Sequence, residues 1–143
     1  MFRNCNIFNQ NIQIPNSVTN TSDMFKACDN FNQNIQIPNS VTRTINMFYN
    51  CFNFDQNIQI PNNVINTSNM FNGCNKLTNI TFLPRQNTSL NMFAKGMFRS
   101  LNTTQLNIWT DKKTASFLRN RIYPSNRTSN IAMTSITNGY YNQ

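Results

Sequence analysis

The sequence predicts a repeat solenoid, a fold in which copies of one short unit stack into a continuous coil. The dipeptide Met-Phe recurs at a constant interval, starting at Met1, Met24, Met47 and Met70. A cysteine, a phenylalanine and a proline recur at the same interval. Residues 8–19 and 31–42 are the identical string FNQNIQIPNSVT, and residues 54–65 differ from it at three positions. A fixed period of roughly 20 to 50 residues is typical of such arrays.

The repeats divide the chain into two regions. Residues 1–91 form the repeat array, with units at residues 1–23, 24–46, 47–69 and 70–91. Residues 92–143 form a degenerate last repeat followed by a C-terminal cap or tail. We align Met92-Phe93 with the start of this last unit, which places Gly96 at the cysteine position.

Each unit contains a predicted strand. Asn11-Ile12-Gln13-Ile14 alternates polar and apolar residues and ends at a proline, which cannot donate to a strand ladder. If copies stack as parallel strands about 4.8 Å apart, isoleucine columns point inward: Ile12, Ile35 and Ile58, then Ile14, Ile37 and Ile60. In the fourth unit either Ile80-Thr81-Phe82 or Thr81-Phe82-Leu83 fits this strand. Leu106 to Trp109 supplies a last strand-like run.

The amides between these isoleucines point outward in the same prediction. They form a possible binding face of six residues: Asn11, Gln13, Asn34, Gln36, Asn57 and Gln59. Stacked amides can also bond to one another along a ladder, as in cross-β stacks. The sequence leaves both a structural role and a binding role open for them.

The other segments are assigned by local pattern. Met24 to Cys28 fits one turn of α- or 3₁₀-helix on the opposite wall. Residues 110–121 fit a short capping helix with Thr110 or Asp111 as N-cap. The four cysteines share one repeat position, so stacking permits disulfides between neighbours, but cysteine is among the most buried residue types. The pattern favours buried thiols.

Composition argues against an enzyme or a metal protein. The 143 residues include 30 asparagines, no histidine and no glutamate, and the carboxylates are Asp23, Asp29, Asp55 and Asp111. No two of them form the tuned pair that general acid-base catalysis needs. The cysteines lack the close spacing of structural zinc sites. We expect no catalytic residue, no metal and no cofactor.

The net charge of +8 is concentrated in the C-terminal region. Residues 1–83 contain four lysines and arginines against three aspartates, whereas residues 84–143 contain eight against Asp111 alone. This predicts a possible basic contact with an acidic partner, formed by Arg85, Lys112, Lys113, Arg119, Arg121 and Arg127. A solvated cationic surface is the alternative.

The N-terminal region shows neither a signal-peptide pattern nor a membrane span. The first unit also begins without the cap that a solenoid normally requires. We therefore expect another polypeptide, a second copy of the chain or upstream sequence to cover that unit.

The repeat resembles a known family. The pattern Met-Phe-x-x-Cys-x-x-Phe-Asn-Gln-x-Ile-x-Ile-Pro-x-x-Val occurs at residues 1–18, 24–41 and, with Asp55 in place of asparagine, 47–64. It resembles the BspA-like leucine-rich repeats and the related repeats of mycoplasma-type surface proteins. The resemblance implies a leucine-rich-repeat-like, right-handed coil with a short-stranded parallel β-sheet and an α/β cap. It also implies adhesion or recognition at bacterial, protist or bacteriophage surfaces, without catalytic residues. The stretch from Leu106 to Asn142 is similar to the endings of repeat proteins from gut bacteriophages.

Three hypotheses for function follow. The first is a non-enzymatic recognition or structural module at the virion surface, as a phage fibre, tail or capsid decoration. Its partners would be neighbouring virion proteins or a glycan or protein of the host surface. The second is a bacterial or protist cell-surface adhesin. The third is nucleic-acid binding by the basic region, for which few interleaved aromatic residues are present.

Overall fold

The structure is a computed structural model that describes residues 1–84, 93–101, 106–112, 114–116, 118 and 135–137. It contains four short strands, β1 (Ile58–Ile60), β2 (Asn79–Phe82), β3 (Asn107–Trp109) and β4 (Ser135–Thr137). They form one sheet in the order β1-β2-β3-β4, and every neighbouring pair is parallel. Parallel neighbours need a long connection, so each strand comes from a different pass of the chain.

The register of the sheet settles the alignment of the fourth unit. Ile58 pairs with Ile80, and Ile60 pairs with Phe82, so Ile80-Thr81-Phe82 is the strand that matches the earlier units. Ile80 then pairs with Ile108, which confirms the last strand-like run before residue 110. The three isoleucines that pair across these strands, Ile58, Ile80 and Ile108, are each at most 1% exposed.

Units 1 and 2 differ from the prediction because residues 1–57 contain no strand. Their Asn-Ile-Gln-Ile segments keep the expected alternation, since Ile35 and Ile37 are buried while Gln36 is exposed. Asparagine is a poor strand former, whereas β-branched and aromatic residues are good ones. The ladder begins only where one partner is β2, whose sequence is Asn-Ile-Thr-Phe.

The Met-Phe segments are tight turns instead of the expected helical turn. Around the second Met-Phe pair, the N–H groups of Asp23, Phe25 and Ala27 donate to carbonyls of the next unit over 2.8, 2.9 and 2.7 Å. The intervening N–H groups donate three residues back within their own turn. Asp23 and Ala27 have φ of 58° and 55°, a left-handed conformation that interrupts a helix. Every second backbone N–H group of this segment therefore donates a hydrogen bond to the next unit.

The predicted start of the last unit is wrong. The N–H of Phe71 donates to the carbonyl of Met97 over 3.0 Å, as Phe48 does to Met70 one unit earlier. Met97-Phe98 is therefore the fifth Met-Phe pair, and Phe93 is 64% exposed and bridges to Asn66 instead. Gly96 lies next to Asn69, so it occupies a left-handed turn position and not the cysteine position. The fourth unit is therefore longer than the three before it.

A stack of aromatic rings runs through the core. Within a unit, the rings of Phe25 and Phe31 are 4.1 Å apart, and Phe25 lies 5.5 Å from Phe48 of the next unit. The interplanar angles of these two pairs are 12° and 11°. The stack consists of eight rings: Phe2, Phe8, Phe25, Phe31, Phe48, Phe54, Phe71 and Phe98. Each unit is thus packed mainly by its neighbours.

The two ends of the described stack differ. At the C-terminal end, Thr114 N–H donates to Asp111 Oδ1 over 3.0 Å, so Asp111 is the N-cap of a helical segment at residues 112, 114–116 and 118. Ala115 and Leu118 of this segment are buried. In unit 1, Met1 and Ile7 are 81% and 89% exposed. Within the described residues, no helix is long and apolar enough to cross a membrane.

Candidate binding face on the sheet

The six outward amides are all exposed. Asn11, Gln13, Asn34, Gln36, Asn57 and Gln59 lie at the surface, while the isoleucines that alternate with them are packed in or against the core. The first of these isoleucines, Ile12, is only partly buried. The alternation of polar and apolar residues in the sequence therefore predicted which side of each segment faces solvent.

Side-chain amides on both flanks hold these segments in register. Before the face, Asn9 Oδ1 accepts from Asn32 N–H over 2.9 Å and from Gln33 Nε2 over 3.0 Å. After it, Ser40 Oγ donates to the Val18 carbonyl over 2.6 Å. Asn32 Oδ1 repeats the first pattern with Asp55 N–H at 2.9 Å. Because both flanks advance by one unit, Asn11 and Gln13 lie beside Asn34 and Gln36.

Two kinds of amide are therefore present in the chain. The asparagines of the Phe-Asn-Gln motif are structural, because each bonds to the next unit. On the face itself, Thr81 Oγ1 donates to Asn57 Oδ1 over 3.3 Å and Asn107 Nδ2 donates to Asn79 Oδ1 over 3.1 Å. These bonds fix the orientation of part of the face and leave its residues exposed or half-buried apart from Thr81.

The sheet extends the face beyond the six predicted residues. Gln59 pairs with Thr81, and Thr81 pairs with Trp109, so all three project from the same side. Asn79 and Asn107 pair with each other beside them. We call the resulting ten-residue surface the amide face: Asn11, Gln13, Asn34, Gln36, Asn57, Gln59, Asn79, Thr81, Asn107 and Trp109.

Sequence reasoning missed Asn79 and Thr81 because it left the alignment of the fourth unit open, and it missed Asn107 and Trp109 because they follow the regular repeats. The signal was available in the strand-like run before residue 110, since its isoleucine aligns with those of the earlier units. Once Ile108 is placed inward, Asn107 and Trp109 must point outward. Trp109 is 41% exposed and is the single tryptophan of the chain.

The amide face is electrically neutral. None of its ten side chains is ionisable, although the chain carries a net charge of +8. One member of the predicted basic contact, Lys112, is exposed and lies shortly after β3 in the sequence. The other five members, Arg85, Lys113, Arg119, Arg121 and Arg127, lie outside the described residues.

The cysteines form a column that bonds to the backbone. Cys28, Cys51 and Cys74 are fully buried and free, and their thiols donate to phenylalanine carbonyls of the preceding unit over 2.8, 2.9 and 3.0 Å. Burial raises the pKa of each of these three thiols because it disfavours the thiolate. The prediction of four buried thiols is wrong for Cys5, which is exposed because unit 1 has no neighbour on that side of the described stack.

Asp23 and Asp55 are engaged in structural contacts. Asp23 accepts from Asn46 Nδ2 over 3.1 Å and lies 3.6 Å from Lys26 Nζ. Asp55 accepts from the Thr78 hydroxyl over 2.7 Å. Within the described part of the chain, no group of three or more His, Cys, Asp or Glu residues could hold a metal ion.

Comparison with known families identifies the repeat. Residues 1–81, more than half of the chain, match the family described as Mycoplasma protein of unknown function, DUF285. The chain belongs to the DUF285 family. This family is related to the BspA-like repeats. No curated protein and no solved structure matched the chain.

The DUF285 match divides the amide face. It includes the face positions of the four units and ends at Thr81 in β2. Asn107 and Trp109 of β3 lie beyond the matched residues. The aromatic end of the face therefore belongs to the segment that follows the DUF285 repeats.

Proposed function

We propose that the chain is a leucine-rich-repeat-like solenoid that acts as a non-enzymatic recognition or structural module through its amide face. The observation that carries this proposal is the exposure of one neutral, amide-rich column across successive units. An amide offers two N–H donors and a carbonyl acceptor, and repetition places such groups at regular intervals. Recognition sites of repeat proteins use extended surfaces of this kind.

The proposed setting is the virion surface, where the module would be part of a phage fibre, tail or capsid decoration. There it would contact a host surface or a neighbouring virion protein. The resemblance of the C-terminal stretch to phage-encoded repeat proteins supports this setting. The aromatic stack and the bonded amides supply the rigid scaffold that a display module needs.

A cell-surface adhesin is the second candidate. The family description names Mycoplasma, which is a cellular organism, and this favours display on a bacterial cell. The same amide face would then contact the surface of another cell. Virion and cell-surface display differ in where the chain is found, so immunogold labelling of purified virions and of intact cells separates them.

A separate contact is proposed at the N-terminal unit. Phe2 and Phe8 are half-buried, whereas the equivalent Phe25 and Phe31 are fully buried by the preceding unit. This apolar end would be covered by upstream sequence, by another protein chain or by a second copy of this one. Light scattering at rising salt tests it, because an apolar contact persists in salt and a charge-driven contact weakens.

The decisive experiment compares isosteric charge substitutions on and off the face. Gln36→Glu removes the two amide donors of an exposed face residue and adds one negative charge. Gln10→Glu makes the same change at an exposed position outside the face. Wild type and both variants are applied to an array of extracellular proteins and surface polysaccharides. We expect the array to retain the wild-type protein and Gln10→Glu, and not to retain Gln36→Glu. Equal retention of the three proteins, or none by any of them, would overturn the proposal.

A further inference from the structure

Trp109 gives the amide face a chemically distinct end. It lies on β3, a strand with a neighbour on both sides, so its position is fixed by two ladders. Thr81, beside it on the same face, is only 1% exposed, whereas Gln59 beyond is exposed and Trp109 is 41% exposed. The column therefore places an exposed aromatic ring and an exposed amide on either side of a threonine that its neighbours cover.

The residues around Trp109 have the chemistry of a sugar site. An indole presents a flat apolar surface with one N–H donor, and the apolar face of a pyranose ring can stack on it. The amides of Gln59 and Asn79 lie nearby, and amide groups suit the hydroxyls of a sugar. Asn79 Nδ2 donates to the Thr78 hydroxyl over 3.0 Å and Asn79 Oδ1 accepts from Asn107 over 3.1 Å, which fixes this amide and leaves one N–H and one lone pair for a ligand. Nine of the ten face residues are amides or a hydroxyl, so the surface around the ring is polar.

Charge and polarity select between possible ligands. Single-stranded nucleic acid also stacks on aromatic side chains, but its phosphates need lysine or arginine along the groove, and the amide face has none. Protein interfaces place apolar and aromatic residues at their centre, whereas Trp109 is surrounded on the face by polar residues. A neutral face in a chain of net charge +8 fits an uncharged partner.

We infer that the amide face binds a neutral oligosaccharide, with one sugar ring stacked on Trp109 and its hydroxyls bonded to the amides of Gln59 and Asn79. The inference rests on the proposed recognition function and names its ligand class. Glutamines further along the column, Gln36 and Gln13, would extend the site to successive sugars. The single tryptophan is then a direct reporter of binding.

The test is a titration followed by tryptophan fluorescence. The probes are neutral trisaccharides of N-acetylglucosamine, glucose, galactose and mannose, with a heparin hexasaccharide as the acidic comparison. At least one neutral trisaccharide should change the emission of Trp109 saturably, and the heparin fragment should not. Calorimetry with that trisaccharide should show at least about a tenfold loss of affinity for Trp109→Ala and a smaller loss for Trp109→Phe, which keeps a ring.

Phe52→Ala is the matched control, since Phe52 is a 40% exposed aromatic residue outside the face. It should bind the trisaccharide like wild type. The inference is overturned if no neutral trisaccharide binds, if Trp109→Ala binds as well as wild type, or if only heparin binds. A partner retained by Trp109→Ala but lost in Gln36→Glu would overturn the sugar site and leave the recognition function standing.

Discussion

Removing one ring from the middle of the aromatic stack tests how the units hold together. Phe48 is fully buried and stacks on four rings, with centroid distances of 4.3 Å to Phe54, 5.5 Å to Phe25, 5.7 Å to Phe71 and 6.3 Å to Phe31. Replacing a buried phenylalanine by alanine costs about 3–5 kcal/mol in transfer and cavity energy. We expect Phe48→Ala to lower the free energy of unfolding by about 4 kcal/mol.

The repeat supplies a matched control at the same structural position. Phe2 is only half-buried and stacks on two rings, Phe8 at 4.1 Å and Phe25 at 5.8 Å. Because one side of Phe2 is open, Phe2→Ala should cost no more than about 2 kcal/mol. Phe48→Leu should cost about 1.5 kcal/mol, which keeps the test usable if Phe48→Ala does not fold.

The assay is urea unfolding followed by circular dichroism, with the slope checked for equal cooperativity. Equal losses for Phe2→Ala and Phe48→Ala would refute the reasoning, because burial by neighbouring units would then make no difference. A loss below about 1.5 kcal/mol for Phe48→Ala would refute it as well.

Three further predictions concern the thiols and one glycine. Burial raises the pKa of the Cys51 thiol, so above about pH 8.5 the unfolded state binds fewer protons and stability falls by up to about 1.4 kcal/mol per pH unit. Cys51→Ser should make this fall less steep in urea titrations, because only Cys28 and Cys74 then contribute to it. An unchanged slope would contradict the assignment. Iodoacetamide should label Cys5 in the native chain and the other three thiols only in denaturant. Mass spectrometry counts the labels, and more than one label on the native chain would disprove the burial of those three thiols. Gly73→Ala should destabilise, because φ is +79° and the added Cβ would meet Asn50 Oδ1. Adding Asn50→Ala should recover about 1 kcal/mol in urea unfolding, whereas additive effects would exclude that contact.

Periodicity predicted the interior of the regular units. Once Ile35 and Phe48 occupy the same repeat positions as other apolar residues, stacking buries them whatever the exact backbone conformation. The backbone was less predictable. The left-handed conformation recurs at two repeat positions, which include Asp23, Asn46 and Asn69 in one and Asn4, Asn50 and Gly73 in the other. Asparagine, aspartate and glycine favour this conformation, so the repeat carried a local signal for it that was not used.

The prediction failed where two Met-Phe pairs compete. Met92-Phe93 follows Met70 at close to the repeat length, whereas Met97-Phe98 lies further along the chain. Phe98 nevertheless continues the ring stack, at 6.2 Å from Phe71. A longer unit can still place its phenylalanine on the ring stack. A search for a fixed repeat length misses such a unit.

The same limitation explains the incomplete candidate site. The six glutamine and asparagine positions follow directly from the repeat, and all six are exposed. Trp109 belongs to the same column, but only the pairing of β2 with β3 shows this. Two of the aspartates that the sequence left out of the site, Asp23 and Asp55, form hydrogen bonds within the fold.

The most direct test of the amide face is protection of an engineered thiol by a bound ligand. Gln36→Cys and, separately, Gln10→Cys are introduced into a Cys5→Ser background, which removes the exposed native thiol. Alkylation is timed with and without a partner that the wild-type chain retains on the array. The account predicts that the partner slows labelling of the thiol introduced by Gln36→Cys and leaves that introduced by Gln10→Cys unchanged. Equal labelling rates at residue 36 with and without the partner would contradict it.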